Sequence, residues 1–107
     1  MYTNLYKFYL PVWSYTVKNK SNSDSINAFV AEVVIRAGGC TILPVASGLW
    51  ISPENVLLQE AILCLEVATT AGVRDVLIGL LKDFFPDQHA FLVVTLGVAE
   101  FIEGNAT

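Results

Sequence analysis

The chain of 107 residues is 54% hydrophobic and only 15% charged, with six Lys and Arg against ten Asp and Glu for a formal charge of −4. Disorder is excluded, because disordered chains couple low hydrophobicity to high net charge, and the length suits a single domain over residues 1–107. A bilayer span needs about 18 uninterrupted apolar residues, whereas the apolar stretches here are broken by Glu32, Arg36, Gly38, Gly39, Pro44, Glu66 and Glu100.

Residues 5–12, rich in aromatic and β-favouring side chains, predict a strand with two unlike faces. Tyr6, Phe8, Leu10 and Val12 make an apolar row; Lys7, Tyr9, Pro11 and Trp13 make an amphipathic one. A polar link over residues 18–25 follows, including Lys18 and Lys20, and its Ser and Asn side chains suit the free amides of a helix start. Ile26, Phe29, Val30, Val33, Val34 and Ala37 then recur at helical spacing. Asp24 favours the positive end of that helix, Arg36 its last turn, and Gly38-Gly39 a left-handed cap.

Residues 40–51 predict a second strand. Pro44 within it has no N–H to give a ladder, which places the strand at a sheet edge or the proline at a bulge. Ser52-Pro53-Glu54-Asn55 reads as a tight turn, and residues 56–68 return as a third strand, so the pair forms a long hairpin protruding around residues 48–58. In the return strand Ala61, Leu63, Leu65 and Val67 face the core, while Glu60, Ile62, Cys64 and Glu66 make a half-apolar opposite face. Thr69 or Thr70 caps a second helix carrying Val73, Val76, Leu77, Leu80, Leu81 and Phe84, which Pro86 ends. Residues 89–96 predict a fourth strand, Gly97 a turn or bulge, and residues 98–102 a short terminal strand. The order β-α-β-β-α-β, plus that short strand, is the α+β ferredoxin-like plait: an antiparallel sheet with two helices on one face.

Several runs carry a family resemblance. Leu10-Pro11-Val12-Trp13, Gly38-Gly39 followed by Thr41-Ile42-Leu43-Pro44, Gly48-Leu49-Trp50, residues 62–67 and Glu100-Phe101-Ile102-Glu103 resemble a group of small uncharacterised prokaryotic proteins. The resemblance covers most of the chain and implies a ferredoxin-like fold. More distantly, the element order is similar to dimeric α+β barrel proteins and to trimeric plait regulators such as the PII-like and CutA-like groups. It carries no activity across: the chain has no His and acidic set matching the haem or oxygenase members of the barrel group, and no Gly-rich basic loop like the PII nucleotide loop.

The residues themselves exclude several chemistries. Lys7, Lys18, Lys20, Arg36, Arg74 and Lys82 are scattered, so the basic stripe that drives nucleic-acid binding is missing, and the third strand lacks the basic and aromatic residues of an RNA-recognition sheet. His89 is the single histidine, whereas a metal site gathers three or four ligands, so neither metal nor cofactor is expected. His89 with Asp87 as its orienter is the candidate catalytic pair, set against the plainer reading of a solvated turn. Cys40 and Cys64 are too few and too apolar in setting for a disulfide framework, and with no signal peptide over residues 1–13 they point to a cytoplasmic protein. Glu60 and Glu66, six residues apart on one strand, stand about 20 Å apart, too far to act as a carboxylate pair.

What remains is apolar surface that two helices cannot cover. Leu49, Trp50, Ile51, Val56, Leu57 and Leu58 crowd the hairpin, Ile35 and Ile78 lie off the helical stripes, and Tyr9, Trp13, Ile62 and Cys64 lie on the sheet face away from the helices. Such patches mark interfaces. Tyr9, Trp13, Leu49, Trp50, Ile51, Leu57 and Ile62 are therefore the expected ligand-binding or interface set of a homo-oligomeric, non-enzymatic binding or regulatory module with a small ligand or protein partner. The alternative is a small-molecule enzyme of the dimeric α+β barrel type, with Tyr9, Trp13 or His89 as polar handles. A cavity above about 300 Å³ holding His89, Tyr9 or a Glu favours the enzyme, and a filled sheet face favours the interaction module.

Overall fold

The computed structural model describes residues 3–14 and 19–105; Lys18 of the polar link lies outside them. The described elements run β1 (Thr3–Pro11), α1 (Ser23–Ala37), β2 (Thr41–Ile51), β3 (Leu57–Thr69), α2 (Ala71–Phe84) and β4 (Val93–Ala99). The four strands form one antiparallel sheet in the order β2-β3-β1-β4. This is the ferredoxin-like arrangement that the element order predicts.

The period-2 rows of the strands decide which face is dry. Tyr6 opposes Val67, Phe8 opposes Leu65 and Leu10 opposes Leu63 across β1 and β3. These rows join Ile26, Phe29 and Val33 of α1 and Leu77 and Leu81 of α2 in one buried cluster, so both helices lie on the same face. Phe8 and Phe29 meet with ring centroids 5.9 Å apart, tilted 59° to one another. Ile78 also packs on this cluster, whereas Ile35 stays exposed.

Local chemistry sets the helix ends. Helix α1 begins at Ser23, three residues before the expected Ile26, and its N-cap Asn22 makes no side-chain cap. Instead Asn22 Nδ2 donates to the Pro11 carbonyl at 3.1 Å, and Asn22 N donates to the Val12 carbonyl at 2.8 Å, tying the helix start to the end of β1. Gly38, at φ 88°, takes the left-handed cap and its N–H reaches the Val34 carbonyl. At α2 the Thr70 hydroxyl accepts from Val73 N at 3.3 Å. Thr70→Ala leaves that amide without its partner and is expected to lower stability by about 1 kcal/mol in a urea titration; a change indistinguishable from zero would remove the cap from the account.

Two irregularities shape the sheet. On β2, Leu43 opposes Cys64 and Ala46 opposes Ile62, so Pro44 and Val45 together face the single Leu63 of β3. This is the bulge expected of a proline that cannot donate, and β2 is an edge strand as well. On β4 the register shifts between Leu5 and Tyr6 of β1, beside Gly97 at φ 144°. That shift lets Val98 and Ala99 continue β4, and residues 100–104 carry no strand, so the separate terminal strand expected over residues 98–102 does not form.

The fourth strand also starts later than expected, at Val93 instead of residue 89. Phe85 is buried and its ring meets Phe91 at 6.0 Å, while Gln88 N donates to the Phe85 carbonyl. These anchors hold residues 85–92 as a connection that joins the sheet where Tyr9 N donates to the Leu92 carbonyl, and His89 lies in it. Strands of 11 and 13 residues make the β2-β3 hairpin long, and the chain measures 52 × 25 × 24 Å. No helix among the described residues is long and apolar enough to cross a membrane.

Candidate functional site

Cross-strand neighbours share a face, so the register also fixes the side of the sheet away from the helices. Tyr9 lies opposite Cys64, and Cys64 opposite Leu43; Pro11 and Ala46 flank Ile62; Gly48 faces Glu60 and Trp50 faces Leu58. Between these rows and the 88–92 connection lies a cleft of about 530 Å³. Its walls include Tyr9, Trp50 and Ile62, together with Gly48, Glu60, Cys64, Gln88 and Leu92; Leu49 borders it between Gly48 and Trp50, although the register puts this residue on the other side of the sheet. A Cβ at Gly48 would collide with Ile62 Cδ1, so the absent side chain is what lets Ile62 lie across β2 at the cleft floor.

A smaller recess of about 430 Å³ adjoins it. Trp13, Ser14, Glu54, Leu58 and Gln59 border this recess, and Glu60 lines both. Trp13 is 53% exposed and its backbone forms an antiparallel bridge with Ser21. The Ser14 hydroxyl donates to Asp87 Oδ2, which links Ser14 to the 85–92 connection. Lys7 Nζ stands 5.1 Å from the Tyr9 ring centroid at the other end of the same face.

Four of the seven expected ligand or interface residues therefore border one cleft, Trp13 borders its neighbour, and two go elsewhere. Ile51 and Leu57 oppose one another at the hairpin end on the helix side of the sheet, 63% and 66% exposed. His89 is exposed and does not line the cleft, although Gln88 and Ala90 on either side of it do. Among the described residues no hydrogen bond joins the Tyr9, Cys64 and Glu60 side chains, and no group of three or more His, Cys, Asp and Glu is placed to hold a metal ion. The residues that sequence reasoning passes over are Gly48 and Gln88. It places Glu60 on the face away from the core and tests it only against Glu66 as a carboxylate pair; the strand register brings it to the cleft.

Both cysteines are free thiols. Cys40 sits immediately before β2, and partial burial raises its thiol above the ordinary value of 9.0. The folded state thus prefers the protonated thiol; this contribution to stability is present below the unfolded-state value and lost as pH rises through the folded one. Alkylation of Cys40 by iodoacetamide at pH 8–9 is expected to run slower in the folded chain than in urea, with a pH midpoint above that of the unfolded chain. Equal rates in the two states would show that the fold does not shield this thiol.

A four-stranded antiparallel sheet with two helices on one face places the chain among ferredoxin-like α+β proteins. Within that class, the solved structures similar to it include CutA1 proteins. A divalent cation tolerance protein (Cut A1) from Thermus thermophilus superposes with a TM-score of 0.65 at 17% identity, covering 96% of this chain and 87% of its own. CutA1 from Oryza sativa gives 0.62 at 17% identity, over 99% and 84% of the two chains. The divalent ion tolerance protein CutA1 from Ehrlichia chaffeensis gives 0.65 at 9% identity, over 94% and 85%. No family model and no curated protein matches the sequence. At these identities the likeness is one of fold.

Proposed function

We propose that this protein is a non-enzymatic binding module that works as a homo-oligomer in a reducing, cytoplasmic setting, with the β2-β3 hairpin as its assembly element and the cleft on the open sheet face as its ligand site. The observation that carries the assembly is the helix-side flank of the hairpin. Ile42, Leu49 and Ile51 of β2 and Leu57 at the start of β3 are each more than half exposed there, because β2 is an edge strand that neither helix covers. A row of that length on an unpaired strand is a surface that a second copy of the chain would bury. The fold likeness to proteins titled for divalent cation tolerance supports a binding role over a catalytic one.

One observation favours the enzyme reading: the cleft exceeds 300 Å³ and is lined by Tyr9 and Glu60. The acid–base pair this reading needs is not assembled there, since His89 lies outside the lining and the Tyr9, Cys64 and Glu60 side chains make no hydrogen bonds with one another. Native mass spectrometry and light scattering at micromolar concentration test the proposal. A discrete oligomer is the expected result, and a monomer across that range would end the assembly reading.

A further inference from the structure

The cleft and its neighbouring recess have a chemical bias that size alone does not convey. Glu60 lines both, Glu54 lines the recess, and among the described residues no Lys or Arg lines either. Glu60 is a half-buried residue and, among the described residues, its carboxylate takes part in no ion pair or hydrogen bond. A carboxylate on the wall of a largely apolar cleft, with no cation beside it, leaves its charge for a positively charged ligand to meet. The aromatic walls point the same way. Trp50 borders the cleft and Trp13 the recess, and the faces of indole rings attract ammonium groups, as the Tyr9 ring already does with Lys7 Nζ 5.1 Å from its centroid.

We propose that the cleft takes an organic cation, an ammonium head carried on an apolar body. The head sits at Glu60 and the body lies along Trp50, Tyr9 and Ile62. This deepens the reading of the cleft as a ligand site and rests on it, but not on the assembly. A bare divalent ion suits the cleft less well, since such ions collect several oxygen ligands at about 2.0 to 2.6 Å, and no three candidate ligands converge among the described residues. An anion is disfavoured by Glu60 itself. The volume of about 530 Å³ lies within the range of small-molecule sites.

The test is a tryptophan-fluorescence titration of the intact chain with benzyltrimethylammonium, and with phenylacetate as the anion of similar body. The expected result is a saturable change with the cation, none with the anion at the same concentrations, loss of the signal in Trp50→Phe and its retention in Trp13→Phe. Glu60→Gln keeps the side-chain shape and is expected to weaken binding by about tenfold, with circular dichroism confirming the fold. Equal responses to cation and anion, or an unchanged affinity in Glu60→Gln, would overturn the inference. Light scattering on the same samples separates the two proposals. Binding by a monomer leaves the ligand inference standing while the assembly fails. An oligomer that ignores the cation, or whose mass changes in Glu60→Gln because a second copy occupies the cleft, overturns the ligand inference and leaves the assembly intact.

Discussion

Replacing Leu49 and Leu57 together by glutamate is expected to convert the assembled protein to monomers without unfolding it. Both side chains stand on the helix-side flank of the hairpin, at 67% and 66% exposure, on rungs separated by the Trp50–Leu58 pair, where Leu49 opposes Gln59 and Leu57 opposes Ile51. Within one chain they touch little, and substitutions at such sites change monomer stability by about 0.5 kcal/mol or less. In an assembly the same side chains are buried, and each leucine contributes about 1.5 to 3 kcal/mol of apolar burial. Glutamate removes that gain and adds the cost of drying a charge. A rise in the dissociation constant of at least about a hundredfold follows. Native mass spectrometry reads the assembly and far-ultraviolet circular dichroism reads the fold. If the variant keeps the wild-type oligomeric mass, the hairpin flank is not the contact.

The second large effect is in the core. Phe8→Ala is expected to destabilise the chain by about 3 to 5 kcal/mol, a large share of the roughly 5 to 15 kcal/mol that holds a domain of this size. Phe8 is fully buried on the central strand β1, between Leu65 of β3 and Val93 of β4, with the Phe29 ring of α1 against it. Its removal opens a cavity where sheet and helix meet, and neighbours on two strands cannot close it without breaking register. Phe8→Leu keeps much of the volume and is expected to cost less than half as much. Urea titrations at one fixed protein concentration check both, since assembly would otherwise shift the apparent stability. A loss under about 1 kcal/mol for Phe8→Ala would mean that this side of the sheet is not the folding core.

These two expectations draw on different levels of legibility. That Phe8, Leu65 and Val67 are core, and that Tyr9 and Ile62 lie on the other face, follows from the period of two along a strand. The i, i+3, i+4 spacing locates both helices to within a few residues, although Val34, on the expected stripe of α1, is 48% exposed, and Ile78, off the stripe of α2, packs on the core. The spacing cannot settle such margins, because the width of a buried stripe depends on what the helix leans against. His89 illustrates a different limit. Apolar residues 91–94 read as one strand with it, yet the Phe85 and Phe91 rings anchor a connection there and the ladder begins only at Val93.

The sequence by itself determined the element order, the two helices, an edge or a bulge at Pro44 and the surplus of apolar residues on the hairpin, because propensity, periodicity and the missing N–H of Pro44 are local properties. Only the tertiary structure decided which hairpin residues face which side. Leu43 and Cys64 pair on the open face, and an unbroken alternation from Leu43 would send Leu49 and Ile51 there too, with Trp50 on the helix side. The bulge at Pro44 and Val45 shifts the parity by one. A shift of one residue flips every side chain beyond it, so Trp50 and Gly48 come to the cleft beside Glu60, while Leu49 and Ile51 go to the flank. Proline made a bulge or an edge necessary, but its exact extent depends on which β3 residues the strand pairs with afterwards, and that is a long-range choice.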